Sequence, residues 1–304
     1  MKKNGRGSLL AIEPLTPEQI NVYLRAARRM NPGRNRPLLK GKRVVLLFYE
    51  SSTRTRTSFQ LAAKELGALT TVISASASSI EKGESLIDTG LTVQALGADV
   101  IVIRHPSSGA PYVLARHLRV PIINAGDGMH AHPSQALLDA VTMLEHFKTL
   151  KGLRVLITGD IFHSRVARSN IQLLTKFGAR VTLCGPKILL PDVAAQIAPG
   201  LRIARDFNEA LPGTEVIMML RVQKERLQGL DIDAREYVAN YQLTMDRVRL
   251  AAKNAIVMHP GPIIRGMELT DEAADCSQSV ILEQVRNGLR TRMAILAHHV
   301  GGRR

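Results

Sequence analysis

The sequence predicts an α/β fold: two doubly wound parallel-sheet domains joined by helices, with an active site between them. Three observations lead there. Short apolar runs alternate with segments of helical period, first up to Pro133 and again after Lys151. The runs are short and apolar, as strands of a parallel sheet covered on both faces are. The length of 304 residues is large for one core, so two domains are expected.

The first helix lies in "LTPEQINVYLRAARRM". Thr16 and Gln19 make a capping box there, with Pro17 at the first helical position. The strands of the first half are "RVVLLFY", "LTTVIS", "DVIVIR" and "VPIINAG", and helices fill 53–66, 84–96 and 110–117. The segment 73–85, "ISASASSIEKGES", is rich in small polar residues and reads as a mobile loop. A long helix in "HPSQALLDAVTMLEHF" starts at Pro133 and joins the halves. Strand "LRVLITGD", helix "SRVARSNIQLLTKFG" and strands "ARVTLCG", "EVIMML" and "AIVMHPGP" follow. The helix in "SQSVILEQVRNGLRTRMAILAHHV" closes the chain.

Composition narrows the function. No apolar run reaches a membrane span, and the basic start lacks the apolar stretch of a signal peptide. Cys184 and Cys276 are far apart with no CxxC, which fits a reducing cytoplasm. The net charge of +15 raises nucleic acid as a partner. Single-strand binders need stacking platforms, yet aromatics make up only 4%, with no tryptophan and no basic–aromatic run. Neither nucleic acid nor membrane is expected. The charge fits a basic surface or anionic substrates.

The richest stretch is "LLFYESSTRTRTSFQLAAKELGA". Ser52, Thr53, Arg54 and Thr55 stand where a strand gives way to a helix. Backbone N–H groups at a helix start favour anions, hydroxyls add donors, and an arginine supplies a bidentate fork. A plain N-cap would explain one hydroxyl, not four such residues at the carboxyl edge of a sheet. Arg54 and Arg56 are two residues apart on the helix, so their side chains point roughly 200° apart. Arg54 is placed on the anion, and Arg56 is expected to need a protein carboxylate. Arg104-His105-Pro106 follows a strand at the same edge, and His132 and Gln135 flank a helix start. A histidine there is also an ordinary cap or loop group. Three such termini would surround a small anion with a carbonyl or amide part.

In the second half, "GDIFHSRVARSN" is again strand, turn and helix, but it lacks GxGxxG. The next strand ends in Cys184-Gly185-Pro186 with no acidic residue for a ribose, so no nicotinamide cofactor is expected. "LRVQKER" gathers Arg221, Lys224 and Arg226 after a strand. It reads as a second anion site facing the first, or as a solvated charged loop.

Together "FYESSTRTRTSF", "EKGES", "VIRHP", "NAGDGMHAHPSQALLD", "GDIFHSR", "LRVQKER", "MHPGP" and "QVRNG" resemble the aspartate branch of the carbamoyltransferase family. They run in order across nearly the whole chain. "RVQKER" and "HPGP" are the more specific part, since ornithine members resemble "HCLP" at the latter site. The resemblance implies that Ser52, Thr53, Arg54 and Thr55 bind the phosphate of carbamoyl phosphate. Arg104, His132 and Gln135 would hold its carbamoyl group. Ser79, or Ser78 by an alternative alignment, and Lys82 would reach into a neighbouring subunit's site. Lys82, Arg165, Arg221 and Gln223 would bind L-aspartate, and Pro260 and Gly261 would turn backbone carbonyls to its amine. Glu50 would tether Arg165 and Arg226 in the closed state.

The resemblance further implies a carbamoyl-phosphate-binding domain over 1–133, an aspartate-binding domain over 134–284, and a helix at 285–304 returning to the first domain. The implied enzyme is a cytoplasmic homotrimer of pyrimidine biosynthesis with shared active sites. It needs no metal, cofactor or protein nucleophile. Regulatory chains or a dihydroorotase are further partners it leaves open. Ser51 stands where many members have proline, Ala131 where glutamine is common and Ile264 where asparagine is frequent. None of the three is a charged ligand. The rival reading is a non-catalytic scaffold of a pyrimidine-pathway assembly, and intact Arg54, Lys82, His132 and Arg221 argue against it.

Overall fold

A computed structural model of the chain describes residues 7–34, 37–74, 84–222 and 233–301. The chain divides into two units, Met1–Val141 with Arg286–Arg304, and Thr142–Val285. Both divisions fall inside helices rather than in linkers.

In the first unit, α1 (Pro17–Arg29) starts at the expected capping box. Thr16 accepts from the Gln19 amide and Gln19 from the Thr16 amide, at 3.3 and 2.9 Å. It buries Ile20, Tyr23, Leu24 and Ala27, one helical face by their spacing. Then β1 (Arg43–Phe48), α2 (Thr53–Glu65), β2 (Leu69–Ser74), α3 (Leu86–Ala95), β3 (Val100–His105), α4 (Ala110–His117) and β4 (Ile122–Asp127) alternate. The four strands are parallel in the order β2-β1-β3-β4. The inner strands β1 and β3 are buried along most of their length, whereas β2, at the edge, is half exposed. One face of the sheet closes over Val93, Leu114 and Leu118 of α3, α4 and the residue after it.

The second unit carries β5 (Arg154–Thr158), α6 (Arg165–Lys176), β6 (Arg180–Cys184), β7 (Arg202–Ala204), α7 (Phe207–Ala210) and β8 (Val216–Met219). These are followed by α8 (Ala234–Tyr241), α9 (Met245–Leu250), β9 (Ile256–Met258) and α10 (Asp271–Asp275). Its five strands are parallel in the order β7-β6-β5-β8-β9. Strand β7 is absent from the sequence reading, because three residues carry no periodicity.

The linking helix α5 (Pro133–His146) and the last helix α11 (Ile281–Val300) each begin in one unit and end in the other. The last helix starts later than its sequence pattern suggests. Val257 accepts from the Val280 amide and donates to the Gln278 carbonyl, holding 278–280 against β9 and out of the helix. Arg290 donates to the carbonyls of Arg28 and Met30 within the first unit. No helix of the described residues is long and apolar enough to cross a membrane.

Near its C-terminal end, α11 is fixed by a neutral imidazole. His299 Nδ1 donates to the Gly7 carbonyl, so Nε2 must accept from the Tyr23 hydroxyl at 3.0 Å. Burial, helped by the neighbouring His298, pushes His299 down to about 4. The unfolded chain takes up a proton at this residue near its ordinary value, and the folded chain resists it. Stability is therefore expected to fall as pH drops through the window from the usual histidine range to about 4. The loss should approach about 3 kcal/mol. Urea midpoints measured across that window should show the fall, and His299→Gln should flatten it.

Candidate active site

In the first sheet the strand order reverses between β1 and β3, the point where ligands of open α/β sheets bind. Both neighbours deliver arginines to that edge. Helix α2 follows β1, and its N-cap is Ser52, whose side chain makes no capping hydrogen bond. The plain-cap alternative therefore lacks its defining contact. A helix start leaves its first N–H groups without intrahelical acceptors. No acidic residue lies in this first turn. Thr53 and Arg54 are exposed and Thr55 is buried. Arg56 is half-buried and has no carboxylate partner among the described residues, contrary to the expectation that one would face it.

Arg104 sits at the end of β3, in register with Phe48 of β1, and its carbonyl accepts from the Tyr49 amide at 2.9 Å. Its Nη2 donates to Glu50 at 2.8 Å, and the arginine side chain is only 13% exposed. Glu50 thus bonds an arginine of its own unit in this structure.

The third terminus is α5. The carbonyl of His132 accepts from the Gln135 and Ala136 amides, and both His132 and Gln135 are buried. The amide of Gln135 donates through Nε2 to Asp139 at 3.0 Å. The approach to this terminus is pinned by Asp127, a residue the sequence reading passed over. Fully buried, it accepts from the amides of Gly109 and Ala131 and from Asn124 Nδ2, at 2.7, 3.1 and 2.8 Å. It also meets His130 Nδ1 at 3.0 Å. Gly128 follows with φ +45, and a Cβ there would lie 2.6 Å from the Ser108 backbone nitrogen. The signal in the sequence was the Asp-Gly pair in "NAGDGMHAHP".

The second unit repeats the logic. Its strand order reverses between β5 and β8, and Arg165 and Arg221 follow those two strands. Ser164 caps α6 by accepting from the Ala167 amide at 3.0 Å. Buried Asp160 accepts from His163 through its backbone amide and bonds its Nδ1, at 3.1 and 2.9 Å. After β9, Pro260 and Gly261 lie in a turn where Gly261 has φ +61 and the Gly261–Pro262 bond is cis. His259 Nδ1 accepts from the Gly261 amide at 2.7 Å, which puts the ring proton on Nε2.

The turn after β9 and the end of β8 share one carboxylate. Glu268, fully buried, accepts from the Val222 and Ile264 amides at 2.9 and 2.8 Å. His259 Nε2 lies 4.0 Å from it. Burial pushes its carboxyl up, against the pull of those amides and of Arg221. Its only sequence signal is an acid inside the apolar "GMELT". The predicted residues Ser79, Lys82, Gln223 and Arg226, with Ser78 and Lys224, lie outside the described residues. Among the described residues no group of three or more His, Cys, Asp or Glu could hold a metal ion.

Comparison with known proteins adds to this geometry. Residues 8–145 match the family described as aspartate/ornithine carbamoyltransferase, carbamoyl-P binding domain. Residues 151–299 match its companion, the Asp/Orn binding domain. The chain is 62% identical over 296 residues to an aspartate carbamoyltransferase catalytic subunit of Koribacter versatilis, covering 97% of this chain and 98% of that one. It is 53% identical over 298 residues to the same subunit of Solibacter usitatus, covering 96% and 99%. Among solved structures, aspartate transcarbamoylase of Trypanosoma cruzi with carbamoyl aspartate and phosphate is similar, with a TM-score of 0.87. Identity there is 31%, over 97% of this chain and 95% of that one. Ornithine carbamoyltransferase of Pyrococcus furiosus gives a TM-score of 0.89 at 30% identity, covering 100% of both chains. Backbone shape therefore does not separate the two amine specificities.

Glu268→Gln tests the shared carboxylate. A carboxamide has one acceptor oxygen, so only one of the two amide bonds can survive. Hydrogen exchange should accelerate at Val222 or at Ile264 but not both, with a stability loss of about 1–3 kcal/mol.

Proposed function

The chain belongs to the aspartate/ornithine carbamoyltransferase family, and we propose that it transfers the carbamoyl group of carbamoyl phosphate to L-aspartate. The products are N-carbamoyl-L-aspartate and phosphate, a step of de novo pyrimidine biosynthesis. The observation that carries the reading is the α2 terminus. Its N-cap hydroxyl caps nothing, and it stands beside Arg54 at a strand-order reversal that Arg104 also borders. For the amine, the choice of aspartate over ornithine rests on "RVQKER" and "HPGP" and on the high identity to aspartate-specific relatives.

The first unit is then the carbamoyl-phosphate-binding domain and the second the aspartate-binding domain. Ser52, Thr53, Arg54 and Thr55 take the phosphate, and Arg104, His132 and Gln135 take the carbamoyl group. Arg165, Arg221 and Gln223 take the two carboxylates of aspartate, and Pro260 and Gly261 offer carbonyls to its amine. The neutral amine attacks the carbamoyl carbon and a C–N bond forms. The carbonyl oxygen gains charge next to Arg104 and His132, the C–O bond to phosphate then breaks, and the proton the nitrogen loses goes to the departing phosphate. Two dianions must be held close together, which is why arginines and Lys82 are required in such number. Fixed donors stabilise the oxyanion and binding supplies proximity.

We further propose a cytoplasmic homotrimer in which Ser79 and Lys82 serve a neighbouring subunit. Cys184 and Cys276 are far apart in the chain with no CxxC, which supports a reducing compartment.

The purified chain should release phosphate from carbamoyl phosphate only when aspartate is added. Turnover with ornithine and none with aspartate would overturn the assignment. Arg54→Ala should lower kcat/KM by about 10²–10³ with the fold intact by circular dichroism.

Sharing of sites has its own test. Lys82→Ala and His132→Ala trimers, each inactive, should regain activity when mixed under conditions of subunit exchange. Continued inactivity after mass spectrometry has shown mixed trimers would rule sharing out.

A further inference from the structure

The second unit holds an aspartate–histidine pair beside one of its predicted substrate arginines. Asp160 and His163 stand in the turn between β5 and α6, and Arg165 opens that helix. The strand order reverses at β5, so the turn lies at the crevice edge of the sheet. Asp160 Oδ1 accepts from the His163 backbone amide at 3.1 Å, and His163 Nδ1 lies 2.9 and 3.1 Å from the two carboxylate oxygens. The Asp160 side chain is 2% exposed and that of His163 21%. The imidazole also meets the Phe162 ring edge to face, with centroids 4.8 Å apart. Backbone bonds brace the turn: the Phe162 amide donates to the Leu189 carbonyl at 2.9 Å, and the Ser164 amide to Ile161 at 3.2 Å.

A carboxylate only accepts, so Nδ1 carries the ring hydrogen and the lone pair is on Nε2. Among the described residues no group bonds Nε2. The charged and titratable groups around the pair are Arg165 and Arg168 on α6, Arg221 after β8 and Tyr237 of α8. Arg168 is within reach of the Asp160 charge. The Tyr237 hydroxyl stands 3.5 Å from where a Cβ on Gly159 would be.

We propose that His163 is a further catalytic residue: its Nε2 takes a proton from the α-ammonium of L-aspartate. The inference rests on the carbamoyl-transfer reading. An amino acid enters as an ammonium, which has no electron pair with which to attack. A substrate carboxylate on Arg165 brings the neighbouring ammonium to the turn that carries His163. An N–H bond then breaks, its electron pair stays on nitrogen, and an Nε2–H bond forms. Asp160 stabilises the resulting imidazolium. The freed pair attacks the carbamoyl carbon. The second proton of the nitrogen goes to the departing phosphate, and His163 returns its own to water after the products leave.

His163→Asn separates the two ring nitrogens. The Asn amide nitrogen can replace Nδ1 against Asp160, while nothing replaces Nε2. At neutral pH this variant should lower kcat/KM for aspartate about 10²-fold. The deficit should shrink as pH rises, because the aspartate amine then arrives neutral. Succinate, which is aspartate without the amine, should inhibit the variant and the unmutated chain with equal constants. If His163→Asn does not fold, His163→Gln serves, since an amide cannot take the proton and should show the same deficit. Full activity in a folded variant, a deficit equal at every pH, or succinate inhibition weakened in step with aspartate would overturn the role of His163 and leave carbamoyl transfer standing. An unmutated chain that transfers nothing to aspartate would overturn both.

Discussion

Parallel strands can be joined only by a crossover, and that requirement organises the whole chain. Each crossover helix begins at the carboxyl edge of its sheet. The start of α2, the end of β3 and the start of α5 therefore come together at one edge, although 31 and 28 residues separate Arg104 from Gln135 and Arg104 from His132 in the chain. The second sheet does the same for Arg165 and Arg221. Where the strand order reverses, adjacent crossovers diverge to opposite faces and leave a crevice. Both sheets place their arginines there.

Collecting cations at sheet edges creates repulsion, and carboxylates behind the edges offset it. Glu50 bonds Arg104, and Asp139 opposes the buried Arg292. Elsewhere acids hold backbone rather than cations. Asp127 gathers two amides, an asparagine and a histidine on the path to α5, and Glu268 ties the ends of β8 and β9 to one another. A buried acceptor with several donors fixes loop geometry because each lost bond leaves a polar group unpaired.

Most of the fold was legible in the sequence because its signals are local. The capping box at Thr16 formed as read, and the apolar runs became parallel strands. Local signals faded where elements were short: three-residue β7 and the small helices of the second unit carry too few residues for a period. The start of the last helix was misjudged for a different reason. Residues 278–280 have a helical pattern, but pairing with Val257 draws them into extended structure. Arg56 shows the limit of a periodicity argument. Its angular separation from Arg54 follows from helix geometry, yet the carboxylate inferred for it is not found among the described residues.

The sequence by itself determined the α/β class, the division into two sheets and the motif set that marks the family. These depend on residue type and spacing along one chain. Only the tertiary structure decided that the Ser52 hydroxyl caps nothing, that Glu50 bonds Arg104, and that Arg292 is buried between Phe59 and Gly288. Each of these joins or separates groups by distance in space. A hydrogen bond or a burial cost is set by what surrounds an atom, and the ring that Arg292 lies over belongs to Phe59, more than two hundred positions away in the chain.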